Sequence, residues 1–340
     1  MTDLRIALLG SGYMGKTYSE SISKYNTRAK LVAIAGGTRA PGLAAEYNVD
    51  FVPSYESLLA RKDVDAVLIA TPHTAHVEQV VQAAAAGKHV LVEKPMATSV
   101  AGCTEMIEAC RRANVRLEVI QTMRFRGTLA RAKAMIVAGK IGTVRMLRCQ
   151  SLFTSYVTDK AWAQRPEEGG PSLDMGVHNF DALRFLAGSN AERIFSHVIT
   201  FGDHIQHGLS AMTQITFASG AIAQQWMSYE MPRPNLPDSM HRYYVVGDQG
   251  IIDIDGYGKL LYGIGDKWDL VWQQPPIDFI NRPMEPARLE AFYTQTQAFV
   301  DDVLDNRPAT VSGEDGREAV AMVEATWQSA KSGQSVVVQR

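Results

Sequence analysis

The sequence predicts an α/β fold: an N-terminal doubly wound parallel sheet, then a second α/β domain on a large, open, mainly antiparallel sheet. Three observations predict it. Residues 1–122 alternate short, continuous apolar runs with longer amphipathic stretches, the pattern of strands covered on both faces by helices. A glycine cluster, GSGYMG (10–15), sits between the first such run and the first amphipathic stretch. Beyond Thr122 the runs lengthen and alternate apolar with polar residues, as antiparallel strands with one face on a core do.

Taken in order, LRIALLG (4–10) is strand-like and leads into a helical pattern over 14–24. KLVAIAGG (30–37) is the next strand, followed by helix-like APGLAAEYN and then SYESLLAR. DAVLIAT (65–71), an Ala-rich helical stretch (75–86), KHVLVEKP (88–95), a helix over 99–113 and VRLEVIQT (115–122) complete the series. Right-handed crossovers turn such a series into a doubly wound sheet. A basic helical stretch (124–139) opens the second region, whose strands include TVRMLRCQSLF, ERIFSHVITFG, LSAMTQITF and HRYYVVG. Turns are expected at Ser219-Gly220 and Asp248-Gln249-Gly250. Helical patterns over 285–306 and 313–331 and a last strand, SVVVQ, close the chain. The predicted domains are 1–122 and 123–340.

Composition narrows the function classes. Of 340 residues, 46% are apolar and 21% charged, with a net charge of -2, ordinary for a soluble globular protein. That balance gives no electrostatic reason to expect nucleic acid or an anionic membrane as partner. No stretch approaches the roughly 20 apolar residues of a membrane helix, and the N-terminus reads as a strand rather than a signal peptide. Cys103, Cys110 and Cys149 form no C-x2-C pair, so reduced packing thiols, no metal site and a cytoplasmic protein are expected.

GSGYMG matches G-x-G-x-x-G, a pattern that is weak alone and informative between a strand and a helix. Gly10 permits a tight turn, Gly12 lets backbone approach a pyrophosphate, and Gly15 allows close helix–strand packing. With Tyr13 and Met14 between them, they are candidate dinucleotide contacts at a helix N-terminus. An NAD site usually carries an acid after the second strand to accept the ribose hydroxyls. Here the chain reads AIAGGTRAP (33–41), with glycines at that point and then Thr38 and Arg39. A guanidinium and a hydroxyl suit a 2'-phosphate, so NADP is expected over NAD; an ordinary turn with a solvated arginine is the plainer alternative. ATPHTAH (70–76) places Thr71 and Pro72 at a strand's carboxyl end, where doubly wound sheets bind ligands. His76 joins the cofactor candidates, against the plainer reading of a solvated histidine at a helix start.

HVLVEKP (89–95) raises a sharper question, because an apolar strand runs straight into Glu93, Lys94 and Pro95. A strand reaching the surface would explain it, but this strand ends at the same rim as the glycine cluster. Glu93 and Lys94 are therefore expected to face the cofactor cleft. In the second region, GGPSLDMGVHNFD (169–181) spaces Asp174 and His178 four apart, on one face if helical. Asp181 is placed to orient the imidazole. A structural pair is the plain reading; a proton-handling group serving the same reaction as Lys94 is the functional one.

These stretches together resemble the Gfo/Idh/MocA oxidoreductase family. The likeness runs through GSGYMG, ATPHTAH, GKHVLVEKPMA, KIGTVR, GGPSLDMGVHNFD and the tail VSGEDGREAVAMVEATWQSAKSGQSV. E-K-P with D-x3-H at this spacing is far more specific than the glycine motif. The resemblance implies Lys94, Asp174 and His178 as the catalytic set, with Trp162 and Arg165 reaching toward cofactor and substrate. Arg124 and Tyr156 join Lys94, Trp162, Asp174 and His178 as substrate candidates. It also implies reversible hydride transfer between a sugar or polyol hydroxyl carbon and nicotinamide, and a homodimer or homotetramer. Two departures stand out: Pro171 replaces the usual third glycine of its run, and the acid after the second strand is absent. Redox-neutral glycoside cleavage through a transient keto sugar, and a cofactor-sensing regulator without turnover, are the alternatives.

Overall fold

The computed structural model describes residues 3–154, 168–202, 208–236 and 240–340. The chain divides into two compact units, Met1–Thr122 with Asp278–Arg317, and Met123–Ile277 with Glu318–Arg340. In chain order the first segment holds β1 (Leu4–Leu9), α1 (Tyr13–Lys24), β2 (Ala29–Ala35), α2 (Ala40–Glu46), β3 (Asp50–Val52) and α3 (Tyr55–Leu59). It continues through β4 (Ala66–Ile69), α4 (His76–Ala85), β5 (His89–Val92), α5 (Val100–Arg112) and β6 (Leu117–Val119). The second unit follows with α6 (Gly127–Val137), β7 (Val144–Leu152), α7 (Gly170–Asp174), α8 (Gly176–Ala187), β8 (Ala191–Ile199), β9 (Ser210–Phe217) and β10 (Ile222–Ser228). Then come β11 (Arg242–Gly247), β12 (Ile251–Asp255), β13 (Lys259–Ile264) and β14 (Lys267–Gln273). The chain ends with α9 (Pro286–Leu304), α10 (Gly313–Ser332) and β15 (Val336–Val337).

In the first unit the strands pair in the order β3-β2-β1-β4-β5-β6, all parallel. This is the dinucleotide-binding order, with its crevice beyond the carboxyl ends where the winding reverses at β1 and β4. The central strands are apolar on both faces because helices cover both: Ile6, Leu8, Ile34, Leu68 and Leu91 are buried. β3, absent from the sequence reading, is a three-residue edge strand too short to show a period. Serine hydroxyls cap two helices: Ser54 accepts from the Ser57 amide at α3, and Ser99 from the Gly102 amide at α5.

The sequence reading grouped 285–306 with the second domain, whereas α9 packs on the first unit. Its apolar stripe, Leu289, Phe292, Phe299 and Val300, is buried at helical spacing. Phe292, Phe299 and Val300 share a core with Tyr18, Ile22, Ile34 and Ile120, and Phe292 meets Tyr18 edge to face.

The second unit's nine strands run β14-β13-β12-β11-β7-β10-β9-β8-β15, with β7 and β10 the parallel pair in an otherwise antiparallel sheet. β9 alternates cleanly, burying Thr213, Ile215 and Phe217 and exposing Met212, Gln214 and Thr216. α8 packs on β7 and β10 and ends at Gly188, whose φ of +64° closes the helix in the left-handed conformation. The expected helix over 124–139 is shorter: a 3-10 turn (Thr122–Phe125) precedes α6.

One buried acid makes the first unit's stability depend on pH. Glu118 on β6 is 1% exposed, and burial, then the nearby Asp302 carboxylate, push its carboxyl up to about 8. Asp302 accepts the Thr310 amide and hydroxyl at 2.8 and 2.6 Å. Unfolded, Glu118 would titrate near 4.3, so above that pH the unfolded chain releases a proton that the folded chain retains. Stability is therefore fullest in mild acid and declines as pH rises from about 4.5 toward 8. Glu118→Gln is expected to flatten this decline and to raise stability by roughly 2–4 kcal/mol at pH 9. Urea unfolding at pH 5, 7 and 9 checks it; parallel pH slopes in variant and parent would discard the assignment.

Candidate functional site

Within the first unit, the sequence candidates converge on the carboxyl ends of β1, β2, β4 and β5. Gly10 ends β1 with a φ of +118°, and a Cβ there would sit 2.4 Å from the Ala70 carbonyl oxygen beyond β4. A Cβ at Gly15 would lie 2.2 Å from the Gly10 carbonyl oxygen, so only glycine lets α1 pack this closely on β1. Gly12 is the N-cap of α1 and offers no side-chain cap, leaving first-turn amides of the helix for an anion. Tyr13 is exposed, with the Arg288 guanidinium over its ring at 4.6 Å, and Met14 is half-buried.

The loop after β2 runs beside this turn. A Cβ on Gly37 would meet the Ser11 hydroxyl at 2.6 Å. The Arg39 guanidinium lies 3.7 Å from where a Gly12 Cβ would be, and Thr38 and Arg39 are both exposed. A cation stands at the glycine turn where an acid would accept ribose hydroxyls. The Thr71 hydroxyl donates to Gln79 Oε1 at 2.5 Å, and Pro72 is exposed.

Two first-unit candidates face inward. His76 is fully buried, with Nδ1 2.9 Å from the Pro95 carbonyl oxygen and Nε2 3.0 Å from that of Thr71. Its ring links the ends of β4 and β5. Glu93 is likewise buried, accepting the Tyr18 hydroxyl at 2.5 Å on one oxygen and the Lys94 amide at 2.9 Å on the other. Lys94 is half-buried at the end of β5.

In the second unit, Asp174 and His178 do not share a continuous helix. Asp174 ends α7, Met175 intervenes, and His178 lies in the first turn of α8; Gly176, a weak helix former, sits at the break. Asp174 is buried and His178 half-buried. Asp181 does not serve the imidazole as expected. It is fully buried and takes a two-pronged pair from Arg124, at 2.8 and 2.5 Å, with Arg184 at 3.7 Å. The Arg124 guanidinium also lies over the Phe185 ring at 5.3 Å, so this candidate substrate contact braces α8. Behind His178, Asn179 accepts the Ser151 hydroxyl at 2.9 Å, and His241 Nδ1 lies 3.0 Å from that same hydroxyl. This ties α8 to β7 and to the residue before β11. Tyr156, Trp162 and Arg165 lie outside the described residues.

Sequence reasoning missed Tyr18 and Arg288. Tyr18 follows Gly15 by three residues on the buried face of α1, a spacing that marks the face but not the hydroxyl's partner. Arg288 donates to the Thr17 hydroxyl at 3.1 Å from 271 residues away, and no local signal reaches that far.

Known proteins match this chain along nearly its whole length. Residues 4–121 match the GFO_IDH_MocA oxidoreductase family's NAD-binding Rossmann fold, and residues 133–338 match its C-terminal alpha/beta domain. The 1,5-anhydro-D-fructose reductase of Ensifer adhaerens is 28% identical, over 96% of this chain and 94% of its own. The 2,7-anhydro-N-acetylneuraminate hydratase of Mediterraneibacter gnavus is 32% identical over 57% of this chain and 52% of its own. The solved aldose-aldose oxidoreductase from Caulobacter crescentus, complexed with glycerol, is 26% identical with a TM-score of 0.85, over 98% of this chain and 99% of its own.

Proposed function

Because the chain belongs to the Gfo/Idh/MocA oxidoreductase family, with its NAD-binding Rossmann and C-terminal alpha/beta domains, we propose that it transfers a hydride between a sugar or polyol carbon and NADP(H). The observation that carries the cofactor half is the glycine turn. Gly10 and Gly15 allow α1 to start against β1, and uncapped Gly12 leaves amides toward a diphosphate. When bound, the nicotinamide accepts or donates the hydride.

The residues have separable tasks. In oxidation, His178 is assigned the hydroxyl proton released as the carbon gives up its hydride, and Lys94 the polarising of a substrate oxygen. Asp174 holds either the imidazole or a substrate hydroxyl. In reduction the proton travels back from His178 to the new alkoxide. The likeness to a reductase, an aldose-aldose oxidoreductase and a hydratase supports a carbohydrate substrate. Cycling aldoses, polyols and anhydro sugars with NADP and NAD, read by nicotinamide absorbance, tests the reading. No absorbance change and no altered sugar across the panel would reject it.

Arg39 decides the cofactor. A guanidinium beside Gly12, with no acid after β2, supports a 2'-phosphate partner. Arg39→Ala is expected to raise the NADP Michaelis constant about tenfold or more while leaving that for NAD nearly unchanged, since a charge-assisted contact contributes about 1.5–3 kcal/mol. Equal changes for both cofactors would remove the preference from Arg39.

The hydratase relative supports a second reading, redox-neutral chemistry through a transient keto sugar. Sugar conversion without stoichiometric NADPH would favour it over net oxidation.

A further inference from the structure

The main chain on each side of Lys94 is held by buried side chains with no expected contact to substrate. On the amino side, Glu93 Oε2 accepts Lys94's own amide at 2.9 Å, and Glu93 Oε1 accepts the Tyr18 hydroxyl at 2.5 Å. On the carboxyl side, His76 Nδ1 lies 2.9 Å from the Pro95 carbonyl oxygen. Tyr18 sits in α1, the helix that starts at the glycine turn, and Phe292 of α9 packs against its ring edge to face. We infer that Tyr18 and Glu93 are positioning residues, a strut from the glycine-turn helix to the Lys94 amide that sets where the Lys94 side chain leaves the rim.

Three features favour a strut over an incidental buried pair. Both ends are almost fully buried, so water cannot replace a lost partner. Burial, reinforced by Glu93, holds the Tyr18 hydroxyl well above its ordinary pKa, so it stays a donor throughout the working pH range. And one Glu93 oxygen takes the Tyr18 hydroxyl while the other takes the Lys94 amide, so losing Tyr18 removes a bond that fixes the carboxylate against that amide. The inference rests on Lys94 acting in the proposed reaction; Lys94→Met, argued below, tests that premise separately.

Tyr18→Phe keeps the ring and deletes the donor. It is expected to lower kcat by about tenfold to a hundredfold, the scale of a slightly misplaced reacting group, with the dinucleotide Kd from NADPH fluorescence within about threefold. Amide exchange of a peptide spanning 89–98, followed by mass spectrometry without cofactor, should speed up, since the Lys94 amide loses its ordered acceptor. Glu93→Gln has one acceptor oxygen for two donors, the Tyr18 hydroxyl and the Lys94 amide, so kcat should fall and exchange should quicken in it as well. Unchanged exchange and kcat in Tyr18→Phe would overturn the strut. Weakened dinucleotide binding with normal kcat would make Glu93 a cofactor group instead. Turnover surviving in Lys94→Met would sink the catalytic premise while leaving the exchange result to stand or fall alone.

Discussion

Lys94→Met is expected to fold, bind dinucleotide and turn over no detectable substrate, a loss of about 10³ or more. Methionine keeps an unbranched stem of similar length and removes the ammonium. Lys94 is half-buried at the end of β5, so an apolar tip is tolerable there. Dinucleotide contacts are assigned instead to the turn at Gly10–Gly15 and to Thr38 and Arg39, on other strands' ends. A Kd within a few-fold of the parent's, beside absent turnover, separates the two roles. A folded Lys94→Met protein without NADPH fluorescence enhancement would show that Lys94 is chiefly a cofactor anchor.

The second large effect concerns His178. Its removal as His178→Ala should cost roughly 10²–10⁴ in rate, the range for one positioned general base. Asp174→Asn should also be damaging, and the two together should cost far less than the product of the single losses, because the pair acts as one unit. The sign with pH follows from the task. Oxidation needs a neutral imidazole to accept the proton, so the rate climbs as pH rises through the range where histidine ordinarily titrates, about 6.5. His178→Ala should lose that acid limb between about pH 5.5 and 8. A near-normal rate with the limb intact would move the base to Lys94 or to water, leaving His178 as part of the brace that Asn179, Ser151 and His241 already form.

Legibility in the sequence followed the range of the physics involved. The strands β1, β2, β4 and β5 were readable because burial on both faces makes each a continuous apolar run. The glycine turn was readable because steric need dictates residue type on the spot: nothing larger than glycine clears the Gly10 carbonyl at position 15. The helix over 285–306 was visible from its period, but a period does not say which sheet a helix will cover, and α9 covers the first. Asp174 and His178 looked like one helix face because spacing alone carries no record of the break at Met175. The buried partners of Arg124, Asp181, His76 and Glu93 left no local mark because they lie elsewhere in the fold: Asp181 is 57 residues from Arg124, and Tyr18 is 75 from Glu93. Buried ion pairs and hydrogen bonds are settled by tertiary packing, which one-dimensional spacing does not encode.

The return of α9 to the first unit has a consequence for how the protein can be made and cut. The glycine turn, Arg39 and Lys94 are all synthesised within the first 122 residues, yet the apolar cluster that backs Tyr18 also needs Phe292 and Phe299. The second unit likewise waits for Glu318–Arg340, whose β15 pairs with β8. No single cut of the backbone therefore releases either unit whole, and a ribosome closes neither core until the last stretch has left it. A fragment ending at Thr122 would display Tyr18, Ile22 and Ile120 to water, and the strut to Lys94 would stand at an open wall.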